Sequence, residues 1–451
     1  MKKIRFILFV CSCFLLGTSC NNWLDVKPND RLEQEEMFSS EQGFENALIG
    51  VYIDLKSDVL YGKNMSMDFV ENLAQHWDVV PNTLEDYTSK YDYENSSVEE
   101  VIKEVYGKYY NVILNINNLL AFVDNGVLTE DMYKLIKGEA LALRAFCHLD
   151  VLRLFGPIPG EQTEARILSY ARTVSKMNQP MYSWKEYIAF LEEDLNEAEI
   201  LLKDVEGKGV ENDFFAYRQN RMNYWACLAL KARYYLWIQD EAKAIDYASR
   251  VLSGEKFSLS QETDFVQKDY VSSPEFIFAL HVYNLDEKVN EYFFRAGGVK
   301  KDEEKISKDL FESDITDNRK KYLWSEIKTE TTPRYTLFKY QQEGNATNSL
   351  EQIPLIRLYE MYLIIIECSD DVEVYKPLMD ELVLARNISV LDIDKKDEFV
   401  AKEYQKEFYG EGQAFFYNKR KNVIDILWTD EKGSTEIYVL PLPKTELKYE
   451  S

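Results

Sequence analysis

The sequence predicts a mostly α-helical chain, in which helix pairs stack as a repeat scaffold beneath a loop-rich lobe with a few short strands. Three observations predict it. Over 132–160, Leu135, Ile136, Leu143, Phe146, Leu149, Leu152 and Phe155 recur at spacings of three, four and seven, the period of a helix with one apolar side. Over 222–253 a second helical pattern is interrupted at Gln239-Asp240, with small Ala232, aromatic Tyr235 and small Ala244 placed so that two helices can cross closely. Between 257 and 354 that period dissolves into short apolar runs and dense aromatics. At 451 residues the chain exceeds what a single hydrophobic core usually serves, so repeats or a split core are expected.

In chain order, residues 1–19 read as an export signal. Lys2, Lys3 and Arg5 precede an apolar stretch from Ile4 to Leu16 that is too short to span a bilayer, and Gly17, Thr18 and Ser19 lead to Cys20. A cysteine directly after small residues looks like a lipobox, in which the thiol is acylated and becomes the mature N-terminus. Gly17 departs from that pattern, which has Leu, Val or Ile three places before the cysteine. Cys13 is the competing choice, but it leaves a very short apolar core. Residues 20–31 would be the lipidated tether, and several acyl chains together would anchor it stably.

From 32 to 54, Phe44, Ala47, Leu48, Val51 and Tyr52 predict a helix beginning near Ser39 or Ser40, with Glu41 at its positive end. The segment 61–95 differs in kind. Asp68, Glu71, Asn72, Gln75, His76, Trp77, Asp78 and Asn82 mix polar groups with an aromatic, and Pro81 breaks any helix. Sugar-binding proteins place aromatic faces against the ring and carboxylates or amides against its hydroxyls, so Trp77 and Asp78 are candidate ligand residues. A helix follows to about 123. It contains Asn111, Asn115, Asn117 and Asn118, which compete with the backbone for hydrogen bonds; Asn115 or Asn118 is expected to hold a neighbouring loop.

The helix over 132–155 stops at Gly156-Pro157. Gly138, Ala140, Ala142 and Ala145 permit close helix contact, while Glu139, Arg144, Asp150 and Arg153 demand partners on so apolar a rod. Another amphipathic helix spans 184–202. The pair over 222–253 matches tetratricopeptide offsets, with its first helix ending near Ile238 and its second running over 242–252; it must stack on the 132–155 helix and others to bury both faces. In the region 257–354, 276–283 reads as a strand. Tyr283, Tyr292 and Trp324 are the candidate ligand aromatics of this lobe.

The run Gly138-Glu139-Ala140, then Leu143-Arg144-Ala145-Phe146, Asp150, Arg153-Leu154-Phe155-Gly156 and Pro159 resembles the signature helix of the SusD/RagB family. So do Ile356-Arg357-Leu358 with Glu360, Met361-Tyr362-Leu363 and Glu367, a following helix over 381–388 with Arg386, and a C-terminal motif of Glu403, 407–413 and Phe415-Phe416 with Lys419-Arg420. Leu440-Pro441-Leu442-Pro443 completes it. Ala414 and Tyr417 or Asn418 stand where many members carry an arginine and an aspartate, which puts a local ion pair in question. The resemblance implies a SusD-like fold over 32–451 with insertions near 61–95 and 257–354. It further implies an outer-membrane, cell-surface lipoprotein, partner of a SusC-type TonB-dependent transporter, that captures an oligosaccharide. Peptide capture, or a repeat adaptor that binds only protein, stays open.

The net charge of −25 argues against nucleic acid. Once Cys11 and Cys13 are removed and Cys20 is acylated, Cys147, Cys227 and Cys368 remain, an odd set inside apolar helical segments that reads as buried free thiols. Catalysis is not expected: Glu407 and Glu411 could mimic a carboxylate pair, but they sit among Lys and Arg and read as ion-paired, and no nucleophile elbow, phosphate loop or dinucleotide fingerprint is present. No cofactor or metal is expected. His76, His148 and His281 lack metal spacing, and Asp392, Asp394 and Asp397 lack the glycine and final glutamate of a calcium loop.

Overall fold

The computed structural model describes residues 34–161, 164–175, 179–208, 216–295, 298–326, 334–341, 351–389 and 395–447. The export segment, Cys20 and the tether lie outside these residues, as do Asp392 and Asp394.

Helix α1, Glu41–Leu55, starts where the Ser40 hydroxyl accepts from the Gly43 N–H. Helix α2, Ser96–Phe122, buries Ile102, Val105, Tyr109, Val112, Ile113 and Ile116. Helix α3, Glu130–Phe155, is buried along nearly its whole length from Leu135 onward. A two-stranded hairpin, β1 Arg166–Ser169 with β2 Met181–Ser183, leads into helix α4, Trp184–Val205, which a reciprocal Ser183–Glu186 capping box begins. The repeat pair is helix α5, Tyr224–Trp237, and helix α6, Glu241–Ser253, with Asp240 capping the second. Consecutive helices pack on one another, α2 on α3, α3 on α4, α4 on α5 and α5 on α6, as stacked repeats require. The α5–α6 pair rests mainly on α4 and on a later helix, touching α3 only lightly.

The second lobe carries strands β3, Phe276–His281, β4, Lys301–Asp302, β5, Trp324–Glu326, β6, Arg334–Leu337, and β7, Gln352–Arg357. β3 pairs antiparallel with β7, and β6 lies between β4 and β5. The chain then returns to helices: α7, Leu358–Cys368, on which α6 packs, α8, Val372–Arg386, α9, Lys396–Glu407, and α10, Gln413–Arg420. Two sequence expectations are corrected here. Ile356 and Arg357 belong to β7, because their backbone pairs with Phe278 and Phe276 of β3, so the second signature helix begins only at Leu358. The helix expected over 381–388 begins earlier, at Val372, and ends at Arg386, followed by Asn387, whose φ of +55° is left-handed.

Every charge on α3 has found a partner. Glu139 accepts from the Tyr52 hydroxyl at 2.7 Å and from Arg218 and Arg221 at 3.0 and 2.9 Å. Arg144 grips Asp194 with two hydrogen bonds of 2.7 and 2.6 Å, the forked geometry that makes arginine a strong partner. Asp150 accepts from Tyr61 and from Arg153, whose guanidinium lies 3.6 Å from the Phe416 ring centroid and donates to Gln413. At the C-terminal end, buried Lys419 donates to the Leu154 and Gly156 carbonyls, satisfying acceptors that a helix end leaves open. Asn117, not Asn115 or Asn118, holds the neighbouring loop: its amide donates to the Ala171 carbonyl and its oxygen accepts from Arg144. Asn115 instead bonds Asp54 of α1. Helix phase decides this, since the buried side of α2 carries Ile113, Ile116 and Asn117 together.

Beneath the second lobe lies a buried ionic core. Glu407 accepts from Arg319, Arg357 and Arg386, Glu275 from Arg357 and Arg386, Glu403 from Arg319, and Glu411 from Lys339 and Arg357. The guanidinium groups of Arg386 and Arg357 hold the Glu407 carboxyl well below its ordinary value against the opposing effect of burial. Glu407 and Glu411 are therefore ion-paired, as their basic surroundings in the sequence suggested. Cys147, Cys227 and Cys368 are buried free thiols. No helix of the described residues is long and apolar enough to cross a membrane.

Candidate ligand-binding cleft

The two segments that break the helical pattern meet. After α1 the chain makes tight turns from 56 to 68 and a short helix, Phe69–Leu73, before Gln75 adopts a left-handed φ of +64° that turns Trp77 inward. The Trp77 indole N–H donates to the Met67 carbonyl at 2.8 Å, and its ring meets Phe293 and Tyr409 edge-on at 5.6 and 5.1 Å. At the next residue the Asp78 N–H donates to the Lys300 carbonyl at 2.9 Å, an isolated antiparallel bridge that ties the first insertion to the second lobe.

Between them lies a cleft of about 920 Å³, within the size range of small-ligand sites. Trp77, Asp78 and Tyr292 all line it. Trp77 lines the cleft but, at 3% exposure, leaves little of its ring open to it. Tyr292 is half-buried; its hydroxyl donates to the Met67 carbonyl at 3.3 Å, and burial together with the charge of Asp68 pushes its phenol well above the ordinary range. The Lys63 ammonium lies 5.0 Å from the Tyr292 ring centroid while pairing with Asp68 at 2.7 Å.

Asp78 is held from behind. Lys301 lies 3.6 Å and Lys305 3.9 Å from its carboxylate. Lys301 is buried, donates to the Gln75 carbonyl at 2.6 Å and sits 4.2 Å from the Trp428 ring centroid; burial pushes its ammonium down to about 7. At the mouth, Asp58 and Lys288 form an ion pair between the two insertions. Val79, Val80 and Val299 supply apolar wall, with Val80 largely exposed.

Two candidates stand elsewhere. Trp324 is buried at 7% exposure with its ring edge-on to Tyr409 at 4.8 Å, so Trp77 and Trp324 flank one tyrosine inside the protein. Tyr283 is 73% exposed beyond the end of β3 and does not line the cleft. Sequence reasoning missed Lys63, Lys288, Arg295, Lys300 and Arg334 in the cleft wall. The concentration of Lys288, Arg295, Lys300, Lys301 and Lys305 in an acidic chain is the signal that points to them. A smaller hollow of about 410 Å³ lies beside α5, with Trp225 and Phe257 in its wall.

Residues 22–236 match the SusD-like family described as starch-binding and associating with the outer membrane. The SusD-like protein P25 of Formosa agariphila is 25% identical over 267 residues, which cover 57% of this chain and 46% of that protein; the match thus spans about half the relative's length. A SusD superfamily protein from Bacteroides thetaiotaomicron superposes with a TM-score of 0.74 at 19% identity, covering 91% of this chain and 98% of that one. One from Bacteroides vulgatus gives 0.73 at 22% identity, with 91% and 97% covered. A SusD-like carbohydrate binding protein from the same organism gives 0.70 at 19%, with 91% and 96% covered. At these identities the superpositions establish a shared fold and nothing beyond it.

Proposed function

We propose that this chain is a SusD-like protein that captures oligosaccharides in the cleft between its two insertions without cleaving them. The observation that carries the reading is the convergence of Trp77, Asp78 and Tyr292, from segments more than 200 residues apart, on one cleft of about 920 Å³. A family described as starch-binding, and a structural relative described as a carbohydrate binding protein, support a glycan over other small ligands. The chemistry fits: Asp78 accepts hydroxyl hydrogens, Lys63 and Arg295 donate, and the valine wall with the Tyr292 ring meets the apolar side of a sugar. In this reading Cys20 carries the lipid, the outer membrane holds the protein at the cell surface, and a SusC-type TonB-dependent transporter receives the cargo.

Calorimetric binding of the full chain in detergent to panels of oligosaccharides and peptides tests it, repeated with Tyr292→Ala. At least one oligosaccharide is expected to bind, and the variant to bind it about 2- to 12-fold more weakly, as loss of one aromatic contact implies. Binding to peptides alone, or to neither panel, would sink the glycan assignment.

A further inference from the structure

The cleft differs in charge from the protein around it. The chain has 53 Lys and Arg against 78 Asp and Glu. The cleft wall reverses that ratio, with Lys63, Lys288, Arg295, Lys300 and Arg334 against Asp58, Asp78, Glu85 and Glu291. Lys301 and Lys305 also stand behind Asp78, 3.6 and 3.9 Å from its carboxylate. A basic lining in an acidic surface concentrates the field where the walls exclude water, and it attracts the opposite charge.

Several of these cations are held loosely. Lys288 pairs with Asp58, and Arg295 with Glu291 at 3.3 Å, with both partners substantially exposed in each case. Exposed ion pairs of this kind contribute little to stability, so exchanging the protein carboxylate for a ligand anion sacrifices little. Few flat surfaces are open for a neutral sugar to stack on. Trp77 and Trp324 are buried, and the Lys63 ammonium covers one side of the Tyr292 ring, leaving the other. That ammonium also adds a positive charge beside the one ring left for stacking.

From this arrangement we propose that the ligand is an anionic saccharide, one carrying carboxylate or sulfate groups. The proposal rests on the glycan reading above and narrows it. Arg295 and Lys288 at the mouth engage the anionic groups, by the forked or point-charge geometry of each side chain, while Asp78 and the valine wall meet hydroxyls and ring carbons.

The test compares oligogalacturonate, a sulfated galactan oligosaccharide and neutral maltohexaose with the full chain in detergent, each at low and at high salt. Lys288→Gln and Arg295→Gln, both at exposed positions, are measured alongside. At least one of the two anionic ligands is expected to bind tenfold or more tightly than maltohexaose, to weaken as salt rises, and to lose several-fold more affinity than maltohexaose does in each variant. Which anionic ligand binds distinguishes carboxylate from sulfate. Equal or tighter binding of maltohexaose, or anionic binding that salt and both variants leave unchanged, overturns the proposal while the glycan reading stands. Failure of all three saccharides to bind overturns both.

Discussion

His148 shows how one side chain sets a measurable property of the molecule. It lies wholly inside, stacked on Tyr170 at 3.9 Å and 3.0 Å from the Tyr187 hydroxyl, and burial pushes its imidazole down to about 3. The folded value lies below the ordinary 6.5, so between these two pH values the unfolded chain binds a proton that the folded chain refuses. Stability present above about pH 6.5 is therefore lost as pH falls, by about 2 kcal/mol at pH 5. Urea unfolding at pH 7 and pH 5 should show this loss, and His148→Phe, whatever its own stability, should reduce the difference by a similar amount. An equal loss in the variant would assign the acid sensitivity to other groups. Residue chemistry of this sort is only half legible in a sequence. His148 sits within an apolar helical stretch of the sequence, but the shift needs the neighbours that burial supplies. Trp77 and Trp324 teach the same lesson: both were visible as large aromatics in loop-rich segments, yet which face each ring would hide was settled by Tyr409, more than 80 residues from either.

Helices announce themselves where their period and caps agree. Ser40, Ser183 and Asp240 each accept from a first-turn N–H, and the three helices they begin start where the sequence indicated. Strands were less legible, because β7 continues directly into α7 and its apolar run satisfies either period until the pairing with β3 decides. The contact between α3 and α4 was legible in one residue. A side-chain carbon added at Gly138 would lie 2.8 Å from the Leu202 Cγ and 3.2 Å from the Leu201 Cβ, closer than packed carbons come. Gly138→Val should thus force the two helices apart and lower unfolding free energy by about 1–3 kcal/mol, read as a shifted urea midpoint. A variant as stable as the parent would mean that the helices are not held at this separation. Gly107 on α2, where an added carbon meets nothing within 4 Å, is the comparison: Gly107→Ala should be neutral or stabilising.

At the scale of the whole molecule, the repeat scaffold and the loop lobe are joined in two ways. The ionic core around Glu407 links β7, α8, α9 and the segment carrying Arg319, while the Asp78–Lys300 bridge closes the cleft on the other side. Composition pointed to the first, since Glu407 and Glu411 sat among basic residues, although the particular partners did not follow from it. The cleft itself was legible as two separate segments, each recognised by polar and aromatic residues breaking a helical pattern. Their meeting was not, because the pairing of Asp78 with Lys300 is a long-range contact that no local period encodes. The charge of its wall was legible only in part: Lys288, Arg295 and Lys300 lie close together in the sequence, whereas Lys63 and Arg334 join them only in three dimensions. The account stands or falls on that cleft being the place where ligand binds. Hydrogen exchange of the full chain, with and without the tightest-binding oligosaccharide, measures this directly. Added protection should appear together in 61–85 and 288–300 and leave 218–225 and 256–276 unchanged; protection confined to the latter pair, around the hollow beside α5, would contradict it.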